Sequence, residues 1–279
     1  MSYKTILTVA SGTEPEAAVL DQAERIATEF AAHLDILCLG VDTTQQNYQY
    51  LGATVAVFPD TLNTYREDAD NLAKSVRERM AGATCSWAAD AAVTRLADLG
   101  RGVGARARFC DLAVLAKPFT PGRSADAEAI LEGCLFDAGV PVMVTPPETT
   151  ASAHPKRIAL AWDESQEALR ATRAALPLLK EAEVVSVLII DPPVHGPNRS
   201  DPGGPLSQML ARHGVNVQID VLGKSLPRVS DVMLRHCTDF NADLVVMGAY
   251  GHSRFREALL GGATRDMLER TDVPLFMAH

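Results

Sequence analysis

The chain repeats one plan of strands and helices, and this repeat constrains its fold more than any other feature. The apolar segment Lys4–Ala10 matches Lys156–Trp162, and Asp111–Leu115 matches Asp243–Met247. Two further pairs of apolar segments match in the same order: residues 34–41 with 184–190, and residues 140–144 with 273–277. Helical patterns such as 17–30 and 63–80 lie between the strands. The sequence therefore predicts two similar domains.

Alternation of strands and helices predicts the α/β class with parallel sheets and right-handed crossovers. Segments such as Leu112–Leu115 are apolar throughout, as parallel strands covered on both faces should be. We expect two flavodoxin-like or Rossmann-like, doubly wound domains in tandem, over residues 1–147 and 154–279. The polar, proline-rich stretch 146–155 is the predicted linker.

Composition excludes several classes of protein. The 279-residue chain has a net charge of −9 and no cluster of Lys and Arg, which argues against binding of nucleic acid. No apolar stretch approaches the ~18 residues of a membrane span, and the N-terminus shows no secretory signal. The five cysteines include no Cys-x-x-Cys, which favours reduced thiols, with redox regulation as the alternative. The expected location is the cytoplasm.

A glycine-rich segment in the second half predicts an anion site. Gly248, Gly251, Gly261 and Gly262 follow an apolar strand and precede a helical pattern that starts near residue 263. Glycine lets the backbone approach an anion closely, and a helix start supplies N–H groups and a positive dipole end. A strand, a glycine loop and a helix start are the parts of a phosphate cradle.

The spacing of these glycines resembles the nucleotide-binding loop of the universal stress protein family. That family has Gly, two residues, Gly, nine residues, Gly, and then Ser, Thr or Asn; Gly248, Gly251 and Gly261 fit this spacing. The sequence departs from the pattern at Gly262, which offers a backbone N–H but no hydroxyl. Thr264 is the nearby hydroxyl that could replace it.

The resemblance implies a stress-response sensor or regulator that binds ATP, ADP or AMP. Magnesium is a candidate ion bound with the nucleotide. Asp163 would contact the adenine or ribose, and Ile189 would line the adenine. Met247 and Gly248 would lie beneath the ribose. The residues assigned to the nucleotide site are Ala161, Trp162, Asp163, Ile189, Met247, Gly248, Gly251, His252, Ser253, Gly261, Gly262, Ala263 and Thr264.

Each assignment has a structural alternative. Asp163 precedes a helical pattern and could serve only as an N-cap. Trp162 could belong to the core, and its bulk could crowd the base. His252 could lie on a solvated loop edge, and Gly262 could allow close packing of a helix.

The first half lacks these features, which predicts one nucleotide per chain. Ser11 stands at the position of Asp163, and Lys117–Arg123 follows the fourth strand without a glycine triad. At best, Gly133-Cys134 holds the place of the final glycine pair. We therefore expect this half to be a packing or interaction module, with a protein partner as its candidate ligand.

No catalytic motif occurs in the sequence: it has no His-x-x-x-His, no Gly-x-Ser-x-Gly and no Walker-type Gly-Lys-Ser/Thr. The predicted protein is thus not a dedicated enzyme, and weak ATP hydrolysis is the most we expect. The alternatives left open are an interaction protein without nucleotide, a slow ATPase and, least favoured, an electron carrier. The resemblance and the repeat also imply a pseudo-twofold arrangement in which the last strands, 140–144 and 274–277, pair; a homodimer is a further alternative.

Overall fold

The structure, a computed structural model, describes residues 2–12, 17–43, 59–119, 126–147, 154–192, 201–250 and 262–279. Contacts divide the chain into two compact units. The N-terminal unit contains Tyr3–Leu115 and Gly122–Val140, and the C-terminal unit contains Met1–Ser2, Ala116–Pro121 and Pro141–His279. The two domains predicted along the sequence, 1–147 and 154–279, stay a prediction.

The N-terminal unit has a parallel sheet in the order β3-β2-β1-β4. Its strands are β1 Thr5–Ser11, β2 His33–Asp42, β3 Ser86–Arg95 and β4 Leu112–Ala116. Its helices are α1 Ala17–Glu29, α2 Pro59–Met80, α3 Leu99–Ala107 and α4 Asp126–Glu132, with a short 3₁₀ turn at Leu96–Asp98 and a π-helical turn at Gly133–Asp137.

The C-terminal unit has a sheet in the order β5-β10-β9-β6-β7-β8. Its strands are β5 Val142–Thr145, β6 Arg157–Ala161, β7 Val184–Ile190, β8 Val217–Leu222, β9 Leu244–Gly248 and β10 Leu275–Ala278. Its helices are α5 Gln166–Ala174, α6 Leu176–Leu179, α7 Gly204–Arg212, α8 Val229–Phe240 and α9 Ala263–Arg270. The neighbouring strands from β10 to β8 are parallel.

The predicted pairing of the last strands of the two halves is confirmed. Strand β5 runs antiparallel to β10, with Val144 opposite Leu275 and Val142 opposite Met277. Residues of both strands are buried. The backbone groups at these two strand edges therefore have partners.

The repeat predicted from the sequence also appears in local contacts. The Asp111 carboxylate accepts hydrogen bonds from the backbone N–H groups of Lys4 and Thr5, over 2.7 and 3.0 Å. In the second half, Asp243 accepts bonds of the same lengths from Lys156 and Arg157. An aspartate before the fourth strand thus fixes the start of the first strand in each half, and the parallel α/β fold is confirmed.

Gly133 does not take the place of a loop glycine in the first half. It lies in the π-helical turn after α4, where an added Cβ would be 2.3 Å from the Gly100 carbonyl oxygen. Glycine at this position lets α3 and α4 approach closely. Gly133-Cys134 therefore lies in a helical turn and not in a loop.

The connections of the C-terminal unit create a topological switch point. The chain passes from β6 to β7 and β8 on one side, and β9 then adds to the other side of β6. Ligands of such open parallel sheets bind outside the carboxyl ends of the strands at this point. The candidate site is therefore expected beside Ala161 and Gly248, which end β6 and β9.

Within the described part of the chain, no helix combines the length and the apolar character needed to cross a membrane.

Candidate functional site

A cavity of about 140 Å³ lies at the carboxyl ends of β6, β7 and β9, at the switch point of the C-terminal unit. Helices α8 and α9 contribute its other walls. The lining residues are Ala161, Trp162, Asp163, Leu188, Ile190, Val229, Met233, Met247, Gly248, Ala263 and Thr264. The lining is mostly apolar, with one carboxylate, as is typical of small-molecule sites.

Seven residues assigned to the site from the sequence line this cavity: Ala161, Trp162, Asp163, Met247, Gly248, Ala263 and Thr264. Gly262 immediately precedes α9 and is not among the lining residues. Gly251, His252, Ser253 and Gly261 lie outside the described residues.

Ile189 does not line the cavity, because side chains alternate between the two faces of a strand. Its neighbours Leu188 and Ile190 line the cavity instead. Ile189 packs on the other side of β7, where a Cβ added to Gly203 would lie 3.0 Å from its Cδ1 atom. The alternation of side chains along β7 was the signal that could have identified Leu188 and Ile190 as the lining residues.

Two further wall residues, Val229 and Met233, were not assigned from the sequence. They stand four residues apart on α8 and therefore share one helix face. Their helical spacing was visible in the sequence, but the spacing alone does not show that this helix face covers the cavity.

Asp163 is not the N-cap of the helix that follows it. Ser165 is the N-cap of α5, and its hydroxyl accepts a hydrogen bond from the Ala168 N–H over 3.1 Å. The Oδ1 atom of Asp163 accepts a bond from the Ser165 N–H over 3.0 Å. This turn places the Asp163 carboxylate at the mouth of the cavity, where it can accept hydrogen bonds from hydroxyl or amino groups.

The N-terminus of α9 adjoins the cavity through Ala263 and Thr264. The first N–H groups of a helix have no intrahelical acceptor, and Gly262, at the N-cap, makes no side-chain cap bond. Thr264 Oγ1 accepts a hydrogen bond from the Tyr250 N–H over 3.2 Å, which ties the end of the β9 segment to α9. This helix end is therefore suited to an anion.

A buried carboxylate joins α9 to the start of α8. Asp266 is 4% exposed and accepts bonds from Arg228 Nη1 over 2.9 Å and from Ser230 Oγ over 2.8 Å. Ser230 is fully buried, so its hydroxyl depends on this partner. The two helices that wall the cavity are thus fixed to each other.

A second polar cluster lies deeper beneath α8. Ser186 Oγ donates to Asp220 Oδ2 and lies 2.8 Å from His236 Nε2. Gln218 also donates to Asp220, and Phe240 stacks on the His236 ring. Ser186 is fully buried and bonded directly to the carboxylate, so this cluster is not a nucleophilic triad.

We expect the stability of the chain to fall in mild acid through His236. Burial lowers the pKa of His236 below its ordinary 6.5, and the nearby carboxylates of Asp220 and then Asp239 offset this only in part. The unfolded chain then binds the proton more tightly than the folded chain, so the free energy of unfolding decreases as pH falls below about 6.5, down to the lowered folded-state pKa. Urea unfolding at pH 7.5 and 5.5 measures this difference.

The matched variants for this measurement are His236→Gln and His213→Gln, because His213 is an exposed histidine of the same unit. His236→Gln should show a smaller difference between the two pH values than wild type, whereas His213→Gln should keep it. An unchanged difference in His236→Gln would exclude His236 as the source.

No group of three or more His, Cys, Asp or Glu residues that could hold a metal ion occurs among the described residues.

Solved structures share this fold across the chain. A universal stress protein from Archaeoglobus fulgidus has a TM-score of 0.69 at 15% identity, with 98% of this chain and 95% of that chain covered. A protein of unknown function from Pseudomonas aeruginosa PAO1 has a TM-score of 0.60 at 16% identity, with 99% and 92% covered. At these identities the likeness shows the fold alone.

Sequence comparison adds a family. A curated relative, the universal stress protein Slr1230 of Synechocystis sp., is 29% identical over 99 residues, which are 32% of this chain and 33% of that protein. The match thus spans about a third of the length of that relative. The family model described as the universal stress protein family matches residues 154–279, the half that contains the cavity. Residues 154–279 therefore form a domain that matches the universal stress protein family.

Proposed function

We propose that the C-terminal half binds an adenine nucleotide (ATP, ADP or AMP) and acts as a stress-response sensor or regulator in the cytoplasm. The observation that carries the proposal is the convergence of three elements at the switch point of a parallel sheet. Apolar walls, the Asp163 carboxylate and the N-terminus of α9 all border one cavity. A purine, a ribose and a phosphate need these three kinds of partner.

The size of the cavity decides how a nucleotide would lie. About 140 Å³ is less than the roughly 300 Å³ at the lower end of small-molecule sites, so we assign it the base and the sugar but not the phosphates. We place the base and ribose between Trp162, Asp163 and Met247. The phosphates then extend to the start of α9 and to residues 248–263.

Magnesium, in this proposal, arrives with the nucleotide and is held mainly by its phosphate oxygens, as is common for this ion. Asp163 is the carboxylate that lines the cavity, and carboxylates are common magnesium ligands. No step of hydrolysis is assigned to the residues of this site.

Removal of the Asp163 carboxylate tests the proposed role of this residue. Asp163→Ala should weaken ATP binding by about 10- to 100-fold, the effect of losing a hydrogen bond to a charged group. Calorimetric titration of the full chain measures the affinity. Asp239→Ala is the matched control, because Asp239 is an exposed carboxylate on α8 whose contact is with Arg235. Equal affinities of wild type and Asp163→Ala would remove this residue from the site.

A further inference from the structure

A short segment of the first half, Ala116–Phe119, belongs by its contacts to the C-terminal unit. We call it the 116–119 segment. Its first residue, Ala116, ends β4, as Gly248 ends β9 in the second half. The first half thus uses the counterpart of the nucleotide loop for a different set of contacts.

Lys117 of this segment contacts the end of α9. Its ammonium Nζ donates to the Thr271 carbonyl over 2.8 Å, and its backbone N–H donates to the Thr145 carbonyl over 3.2 Å. The side chain is buried, with 9% of the residue exposed. Burial lowers the pKa of Lys117, and the nearby Asp272 carboxylate offsets part of this effect.

Thr271 is the C-cap of α9, so the bonded carbonyl lies at the negative end of the helix dipole. The last carbonyls of a helix have no intrahelical donor and need an external one. A buried ammonium at this place donates a hydrogen bond to one of these carbonyls and is attracted by the negative end of the helix dipole. Lys117 is therefore well placed to hold the C-terminal end of α9.

Phe119 contacts the same helix closer to its start. The guanidinium carbon of Arg265 lies 4.8 Å from the centre of the Phe119 ring, within the range of a cation–π contact. Arg265 and Thr271 are six residues apart, which is about 9 Å along a helix. The 116–119 segment therefore contacts α9 at two separate points, one near each end.

We propose that Lys117 and Phe119 are positioning residues of the second-half site, which fix α9 so that its N-terminus meets the phosphates of the bound nucleotide. This inference rests on the proposed function. The side chains of Lys117 and Phe119 contact α9 and the residue that caps it, so the expected effect concerns the phosphates. A site whose supporting contacts are loosened by even an ångström loses affinity.

The experiment compares ATP with adenosine, which shares the base and ribose but has no phosphate. Lys117→Met keeps the length of the side chain and removes the charge, whereas Lys117→Arg keeps a cation. Lys156→Met is the control, because Lys156 of the same unit is exposed and pairs with Glu183. Each variant is titrated as the full chain with both ligands, and hydrogen exchange is followed at the amides of α9.

Lys117→Met should lower the ratio of ATP affinity to adenosine affinity by at least fivefold and speed exchange in α9. Lys117→Arg should recover part of the ratio, and Lys156→Met should leave it unchanged. A purely structural lysine would lower the melting temperature without changing this ratio. Phe119→Leu provides a second variant, with a smaller loss in the same direction, if Lys117→Met does not fold.

The outcomes separate the two proposals. If the wild-type chain binds ATP, and the ratio of ATP affinity to adenosine affinity is the same in Lys117→Met and Phe119→Leu as in wild type, the positioning role is overturned. The nucleotide site would still stand. A wild-type chain that binds neither ATP nor adenosine would overturn both proposals.

Discussion

Filling the cavity with Ala263→Leu should reduce ATP affinity at least 100-fold, about 2.7 kcal/mol. Ala263 is the first residue of α9 and lines the cavity, so a leucine there places three additional carbon atoms in the space assigned to the nucleotide. Leucine is also a good helix former, so α9 itself should persist. Isothermal titration of the full chain measures the affinity, and thermal unfolding checks that the variant is folded.

Ala127→Leu is the matched control for this change. Ala127 is a half-buried alanine in the first turn of α4, in the N-terminal unit, and does not line the cavity. It should leave ATP affinity within twofold of wild type. If Ala263→Leu bound ATP as tightly as wild type, the nucleotide would have to lie elsewhere.

Gly248→Ala should lower the free energy of unfolding by about 2 kcal/mol, in the range of overpacked cores. A Cβ at Gly248 would lie 2.6 Å from the Ala168 backbone nitrogen and 2.8 Å from the Glu167 carbonyl carbon. Both atoms belong to the first turn of α5, so the helix must shift as a whole. Because α5 follows the Asp163 turn, we expect ATP affinity to fall as well.

Urea unfolding of Gly248→Ala and of Gly223→Ala tests this expectation. Gly223 lies in the same unit, and a Cβ there would meet nothing within 4 Å. Gly223→Ala should stay within about 0.5 kcal/mol of wild type, the usual range for an unobstructed surface position. Equal stabilities of the two variants would show that α5 does not need a glycine at the end of β9.

The sequence predicted the parts of the fold that depend on periodicity. Apolar segments such as Leu244–Met247 could be read as buried parallel strands, and the repeat correctly paired Asp111 with Asp243. The pairing of β5 with β10 was also predicted, from the resemblance and the repeat together.

The sequence could not predict which face of a strand or helix meets the cavity. Ile189 was assigned to the site, yet its neighbours line it, since one residue of register reverses the two faces. The roles of Asp163 and Ser165 at the start of α5 depend on which of two nearby polar side chains reaches the helix amides. The contacts of Lys117 with α9 join residues that are 154 positions apart, beyond the reach of any local pattern.

The most direct test of the nucleotide proposal is native mass spectrometry of the full chain with ATP, before and after Ala263→Leu. We predict one ATP per wild-type chain, because the first half has Ser11 at the position of Asp163 and lacks the glycine spacing of the second. The single adduct should disappear in the variant. Two adducts per chain, or one adduct that survives Ala263→Leu, would contradict a single site in the C-terminal cavity.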